Sequence, residues 1–231
     1  MSSPASDFIA KIRSAKPGQR VPVTDNLTLF RVPKQRYRNG QSYAVHNGES
    51  TLLIDTVHAI TRSEIDALLA DRPASALLIT HSDLLGQAFG TPAELSSWLG
   101  GVPVLIHSYD TGRHEGLYPL ETNTPMLQDL DIDYYHVPGH TPGSTAYLHR
   151  PTGYLFTGDI IVGNNYEKPG QYFTHAPIRS ADWDLYSAGW AKIPDERVTA
   201  VLPLHGQPSF GPQSCRDART AGLERNRLMR E

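Results

Sequence analysis

Only one cysteine, Cys215, occurs in 231 residues. The chain therefore has no intrachain disulfide and no cysteine-built zinc site. A lone thiol fits a reducing compartment, and its place beside a basic C-terminal segment suits packing better than nucleophilic attack. Long apolar runs are missing as well. No stretch approaches the roughly 20 apolar residues of a membrane span, and Met1 to Arg20 lacks the apolar middle of a signal peptide. These absences predict a soluble cytoplasmic protein with no membrane partner. Positive charge is scarce through most of the chain: residues 39–212 carry eight Lys and Arg against nineteen Asp and Glu, and the formal net charge is −3. A phosphate backbone needs counter-charge that this acidic body does not supply, which argues against nucleic acid as partner. The ends differ. Residues 1–38 carry eight basic residues against two acidic ones, and residues 213–231 carry five against three. The basic N-terminal segment reads as a solvated charged face, with contact to an anionic partner as the alternative. Internal repeats and low-complexity tracts are lacking too. With 39% hydrophobic residues the chain can bury a sizeable core, and its length suits a single domain over residues 1–231.

What is present reads as an α/β protein. Ser6 to Ala15 has helical spacing and stops at Pro17-Gly18. The period then changes to two. Residues 27–32, 42–46 and 50–55 read as short strands of an antiparallel sheet, with Asn47-Gly48 as a hairpin signal. Helices near residues 62–70 and 91–99 alternate with apolar strands at 76–79 and 103–106, a βαβ rhythm. Residues 129–137, 144–149 and 154–157 read as further strands. The stretch 163–178 is rich in Gly and Pro and reads as a long loop. A helix over 183–192, a strand over 200–203 and an Arg-rich helix over 213–229 complete the pattern.

Chemistry gathers at strand ends. His81, Asp83, His140, Asp159 and His205 all stand at the C-terminal ends of expected strands or in the turns just after them. Side chains placed this way converge on one edge of a sheet. Imidazole with carboxylate is a ligand set for Zn²⁺, Fe²⁺ or Mn²⁺. Glycine accompanies three of the five, at Gly139-His140, Gly158-Asp159 and His205-Gly206, where a small residue lets the backbone turn tightly.

Over about residues 25–210 these segments resemble the metallo-β-lactamase superfamily. Leu53-Ile54-Asp55-Thr56 is similar to the superfamily's strand ending in Asp-Thr-Gly, and Ile79-Thr80-His81 to the entry of its His-x-His-x-Asp-His motif. Pro138-Gly139-His140-Thr141-Pro142-Gly143-Ser144 and Leu155-Phe156-Thr157-Gly158-Asp159 are close to its wording, and Pro203-Leu204-His205-Gly206 stands where its last histidine ligand is expected. The resemblance implies an αβ/βα four-layer sandwich of two mixed β-sheets flanked by helices. It also implies a site for one or two metals along one edge. The N-terminal helix and the Arg-rich C-terminal helix would be extensions to that core.

The chain departs from the pattern at three positions. The superfamily motif would place His at 83, Asp at 85 and His at 86, where this chain has Asp83, Leu85 and Gly86. Carried over, the resemblance leaves His81 and His140 in the first metal site, with Asp83 where a histidine should be. The second site keeps His205 and the bridging Asp159. It implies one firmly bound divalent ion, zinc, iron or manganese, with Asp83 or Asp159 as base. The expected function is a metal-dependent hydrolase of a small-molecule ester, thioester, lactone or amide. Two alternatives stay open. His81, His140 and Asp159 match the ligand set of the superfamily's iron-dependent persulfide dioxygenases, and the lost ligands suit a catalytically inactive member that binds a ligand or partner. His58, Tyr166, Tyr172 and His175 are candidates for the substrate pocket. Phe173 accompanies them in the loop, while His107 reads as packing and Gln87 as a helix start.

Overall fold

Alternating strands followed by helix-linked apolar strands dictate a sheet that begins antiparallel and ends parallel, and such a sheet is observed. The computed structural model describes residues 4–32, 40–56, 60–87, 90–163, 172–173 and 183–230. The chain forms two compact units, Met1–Asn123 and Thr124–Glu231.

In the first unit, helix α1 (Pro4–Ser14) precedes β1 (Arg20–Thr24), β2 (Leu27–Arg31), β3 (Gln41–Asn47) and β4 (Ser50–Ile54). Helix α2 (Arg62–Leu69) leads to β5 (Ala74–Leu78), a 3-10 helix spans Ser82–Gln87, and α3 (Pro92–Trp98) leads to β6 (Val104–Ile106) and β7 (Leu117–Pro119). The seven strands lie in chain order in one sheet. Pairing is antiparallel from β1 to β4 and parallel from β4 to β7. The switch follows from the connections: a tight turn at Asn47-Gly48 permits only antiparallel return, whereas α2 and α3 are long enough to carry the chain back to a parallel start. Leu53, Ile54, Leu77, Leu78, Leu105 and Ile106 are fully buried, as expected for parallel strands covered on both faces. Strand β1 was not legible in the sequence because it contains Pro22. It lies at the sheet edge, where a missing backbone N–H costs no ladder bond.

The second unit begins with α4 (Thr124–Asp129), then β8 (Ile132–His136), β9 (Thr145–His149), β10 (Tyr154–Gly158), β11 (Val162–Gly163) and β12 (Tyr172–Phe173). Helix α5 (Trp183–Ala191), β13 (Ala200–Pro203), β14 (Ser209–Phe210) and α6 (Ser214–Arg230) follow. Its five-stranded sheet runs β14-β13-β10-β9-β8, with only the β10–β13 pair parallel. The core packs Val137, Leu148, Leu155, Trp183, Tyr186 and Trp190 with Cys215 and Ala218 of α6. Burial pushes the Cys215 thiol up to about 12, so it is an inert packing group, as its sequence context suggested.

Two expectations change here. The strand expected from Asp129 starts at Ile132, because Pro125 in the first turn favours the short helix α4. The stretch 163–178 is not wholly loop: Val162 pairs with Phe173 and Gly163 with Tyr172, an aromatic pair whose β preference outweighed the surrounding Gly and Pro.

Helices α2 and α3 each open with a reciprocal capping box, Thr61 with Glu64 and Thr91 with Glu94. Thr61→Ala removes one half of the first box and should lower stability by about 1 kcal/mol in urea unfolding, with an unchanged m-value.

Candidate metal centre

Strand pairing alone brings three of the expected residues to one edge of the second sheet. His140 lies in the turn between β8 and β9, Asp159 directly after β10 and His205 directly after β13. Because β10 and β13 run parallel with Gly158 opposite Pro203, the turns that follow them emerge side by side. The Leu204 N–H donates to the Gly158 carbonyl at 3.0 Å. Antiparallel pairing of β8 with β9 and of β9 with β10 returns the His140 turn to the same edge.

Local bonding then fixes each turn. The Thr141 N–H donates to Ser144 Oγ at 2.8 Å, and the Gly139 N–H donates to the Thr141 carbonyl at 3.2 Å. A Cβ at Gly139 would lie 2.9 Å from a ring carbon of Tyr186, so the turn before His140 has room for glycine alone. The Tyr186 hydroxyl donates to the Ile160 carbonyl at 3.1 Å, so one buried ring supports both the His140 turn and the Asp159 turn. Gly163 is similarly constrained, since its Cβ would meet the Gln207 carbonyl at 2.5 Å. Its N–H donates to the His205 carbonyl at 2.8 Å.

The result is a carboxylate oxygen flanked by two imidazoles. Asp159 Oδ2 lies 3.7 Å from His140 Nε2 and 3.6 Å from His205 Nε2. Both separations exceed hydrogen-bond length. They approach the roughly 3.3–3.6 Å between ligand atoms bound to one tetrahedral ion at about 2.0–2.2 Å. Asp159 is 3% exposed, a depth at which a carboxylate needs compensating positive charge or hydrogen bonds.

His81 follows β5 and is held through a buried relay that sequence reading did not find. Asp55, at the end of β4, accepts from the Thr80 N–H at 2.8 Å and from the Thr80 hydroxyl at 2.9 Å. Thr80 Oγ1 lies 2.9 Å from His81 Nδ1. When Asp55 is ionised the Thr80 proton is committed to it, so Thr80 Oγ1 accepts from His81 Nδ1–H. That leaves the lone pair of the ring on Nε2, the tautomer a metal ligand requires. A signal was present in the sequence, since Asp55 and Thr80 both belong to segments that matched the superfamily, but only the paired strands reveal that they touch. Asp55 adopts a left-handed φ of 53°, tolerated by Asp better than by most residues.

His81 in the first unit and His140 and Asp159 in the second each offer one ligand atom suited to a metal ion. Asp83 is exposed, and neither it nor His205 is among these three. His107 is buried with Nδ1 3.2 Å from Glu121 Oε1, in keeping with its reading as packing. Tyr172 lies in β12 opposite Gly163, whereas His58, Tyr166 and His175 fall outside the described residues.

No protein-family model matches the chain. Among curated proteins it is 27% identical over 191 residues to "Probable metallo-hydrolase YybB" of Bacillus subtilis, covering 72% of this chain and 80% of that protein. It is 25% identical over 188 residues to an atrochrysone carboxyl ACP thioesterase of Claviceps purpurea, covering 75% of this chain. The match spans about half, 53%, of that thioesterase's length. Among solved structures, a metallo-β-lactamase from Erythrobacter litoralis superposes with a TM-score of 0.59 at 16% identity, covering 91% of this chain and 95% of that one. The chain has the metallo-β-lactamase fold.

The α/β sandwich and the superfamily resemblance read from the sequence are thereby borne out. Leu85 is buried, 7% exposed. An apolar side chain packs at position 85, where the superfamily motif would place a ligand carboxylate.

Burial pushes the Asp55 carboxyl up to about 7 from its usual 3.8, against the two hydrogen bonds from Thr80 that pull it down. The folded protein therefore keeps a proton there that the unfolded chain has lost. The stability tied to this group is full below about pH 3.8 and declines as pH rises to about 7. In Asp55→Asn this component should vanish, which urea unfolding of both proteins across that range would measure.

Proposed function

We propose that the protein is a metal-dependent hydrolase acting on a small ester, thioester, lactone or amide through a single divalent ion. The observation that carries this reading is the placing of Asp159 Oδ2 between His140 Nε2 and His205 Nε2 at 3.7 and 3.6 Å. His140 and Asp159 would hold the ion, with His205 as a further candidate ligand and His81 as the one that the superfamily resemblance adds. When bound, such an ion lowers the pKa of water and polarises a carbonyl oxygen. A mononuclear centre is favoured by Leu85 and Gly86, since neither supplies the carboxylate or imidazole that a second ion would need.

The chain's own residues have separable tasks. With Asp55 ionised, Thr80 and Asp55 keep the His81 proton on Nδ1, while Tyr186 holds the His140 and Asp159 turns. Asp83, exposed beside His81 in sequence, is the candidate to accept a proton from the attacking water and return it to the leaving group. The names of the metallo-hydrolase and thioesterase relatives support hydrolysis of an acyl bond. The ligand set of two histidines and one carboxylate favours a second reading, a mononuclear iron oxygenase.

Elemental analysis of protein purified without added metal separates these readings. About one equivalent of zinc or manganese is expected for the hydrolase, and one of iron with oxygen uptake would replace it by the oxygenase. Protein that takes up no metal, and whose Tm ignores added Zn²⁺, Mn²⁺ and Fe²⁺, would sink both in favour of an inactive binder. His140→Ala and Asp159→Asn should abolish metal retention. Thr80→Val should weaken it by about 10–100-fold, the usual effect of removing a partner that orients a ligand. Asp83→Ala should retain the metal yet lower thioester or lactone hydrolysis by about 10²–10⁴-fold, and unchanged turnover would remove Asp83 from the mechanism.

A further inference from the structure

The basic N-terminal segment has no part in the proposed chemistry, yet it contributes to a cavity in the first unit. A pocket of about 380 Å³ lies in the first unit, lined by Arg20 and Thr24 of β1, Asp25, Thr28 of β2, His46 of β3 and Arg72. It lies at the end of the sheet opposite to His81. His46 pairs with Thr51 near the start of β4 and Arg72 precedes β5, whereas Asp55 and His81 follow the other ends of those strands. Five strand residues, about 16 Å, intervene.

We propose that this pocket binds a small phosphate-bearing molecule. Four observations converge on it. First, neither Arg20 nor Arg72 forms an ion pair with a carboxylate among the described residues, whereas Arg150, Arg197, Arg216 and Arg219 all do. Second, Arg20 donates through Nη1 to the Ala67 carbonyl in the last turn of α2. That bond fixes the guanidinium at the pocket wall and leaves its other N–H groups for a ligand. Third, Thr28 Oγ1 lies 3.0 Å from His46 Nε2, and His46 Nδ1 lies 2.9 Å from Thr51 Oγ1, so the pocket floor is a rigid chain of hydroxyl and imidazole. Fourth, burial and then the fields of Arg72 and Arg20 hold the His46 imidazole below its usual range, which is what a concentration of unneutralised positive charge does to a neighbouring base.

The chemistry selects the ligand. Two guanidinium forks match the oxygens of a phosphate group, and the Thr28 hydroxyl keeps its proton for a third oxygen when the His46 Nε2–H donates to it. Asp25 offsets one positive charge and would accept from a hydroxyl or amine on the rest of the molecule. The volume suits a metabolite, and a pocket with an acid in its lining does not continue the basic track that a nucleic-acid backbone follows. Capping of α2 explains Arg20 alone; it does not explain Arg72 or the polar floor.

The test is thermal unfolding of the full chain in inorganic phosphate, against sodium acetate and sodium chloride at matched ionic strength. Phosphate at a hundredfold excess over its Kd should raise Tm by about 5–10 °C, and the other two salts should not. The rise should be lost in Arg72→Gln and Arg20→Gln and kept in His81→Ala, which separates this pocket from anion binding at the metal group. NMR titration of wild-type protein should show the His46 ring titrating at higher pH in phosphate, a readout that stands even if a variant fails to fold. An equal rise in acetate, a rise that survives Arg72→Gln, or a His46 titration unmoved by phosphate would overturn the proposal.

Discussion

A carboxylate that is almost fully buried cannot be left between neutral neighbours, and Asp159 imposes that constraint on everything around it. Its Oδ2 atom faces two imidazole nitrogens at distances too long for hydrogen bonds and suited to a shared cation. The cost of desolvating such a group is several kcal/mol unless positive charge compensates. The surrounding architecture positions these groups: a parallel strand pair sets two turns side by side, and an aromatic ring fills the space a Cβ at Gly139 would need.

Asp55 is buried and carries its own desolvation cost, visible in the upward push on its carboxyl. Two donors from Thr80 offset part of it, and the arrangement returns something useful, a defined tautomer for His81. Polar groups at this depth are retained where they orient chemistry. Leu85 makes the contrast. Where the superfamily motif would place a carboxylate, a buried apolar side chain packs instead.

The two ends of the first sheet thus have different electrostatic character. Beyond the C-terminal ends of β4 and β5 lie Asp55 and His81, and near their starts lie Arg20, Arg72 and a neutral His46. Strand length alone keeps these environments apart, and a ligand at one end need not disturb hydrogen bonds at the other.

His81, His140, Asp159 and His205 were legible in the sequence because each follows an apolar run and three adjoin a glycine, a pattern set by local chain geometry. The strands themselves were legible for the same reason, apart from β1, where Pro22 hid an edge position, and β12, where two aromatic residues pair within a Gly- and Pro-rich stretch. Asp83 looked like a ligand from its place two residues after His81, yet its side chain is exposed, because a 3-10 turn rather than a strand follows His81 and redirects the chain. The Asp55–Thr80–His81 relay, the support from Tyr186 and the pocket around His46 could not be read in advance. Each joins residues that are distant in the chain and meet only through strand register or packing. The sequence by itself determined the fold class and which candidate ligands stand at strand ends, since both depend on local periodicity and turn chemistry. Tertiary structure alone decided which of those candidates approach one oxygen, which buried groups orient them and where unpaired charge collects, because these depend on distances that only the paired sheets establish.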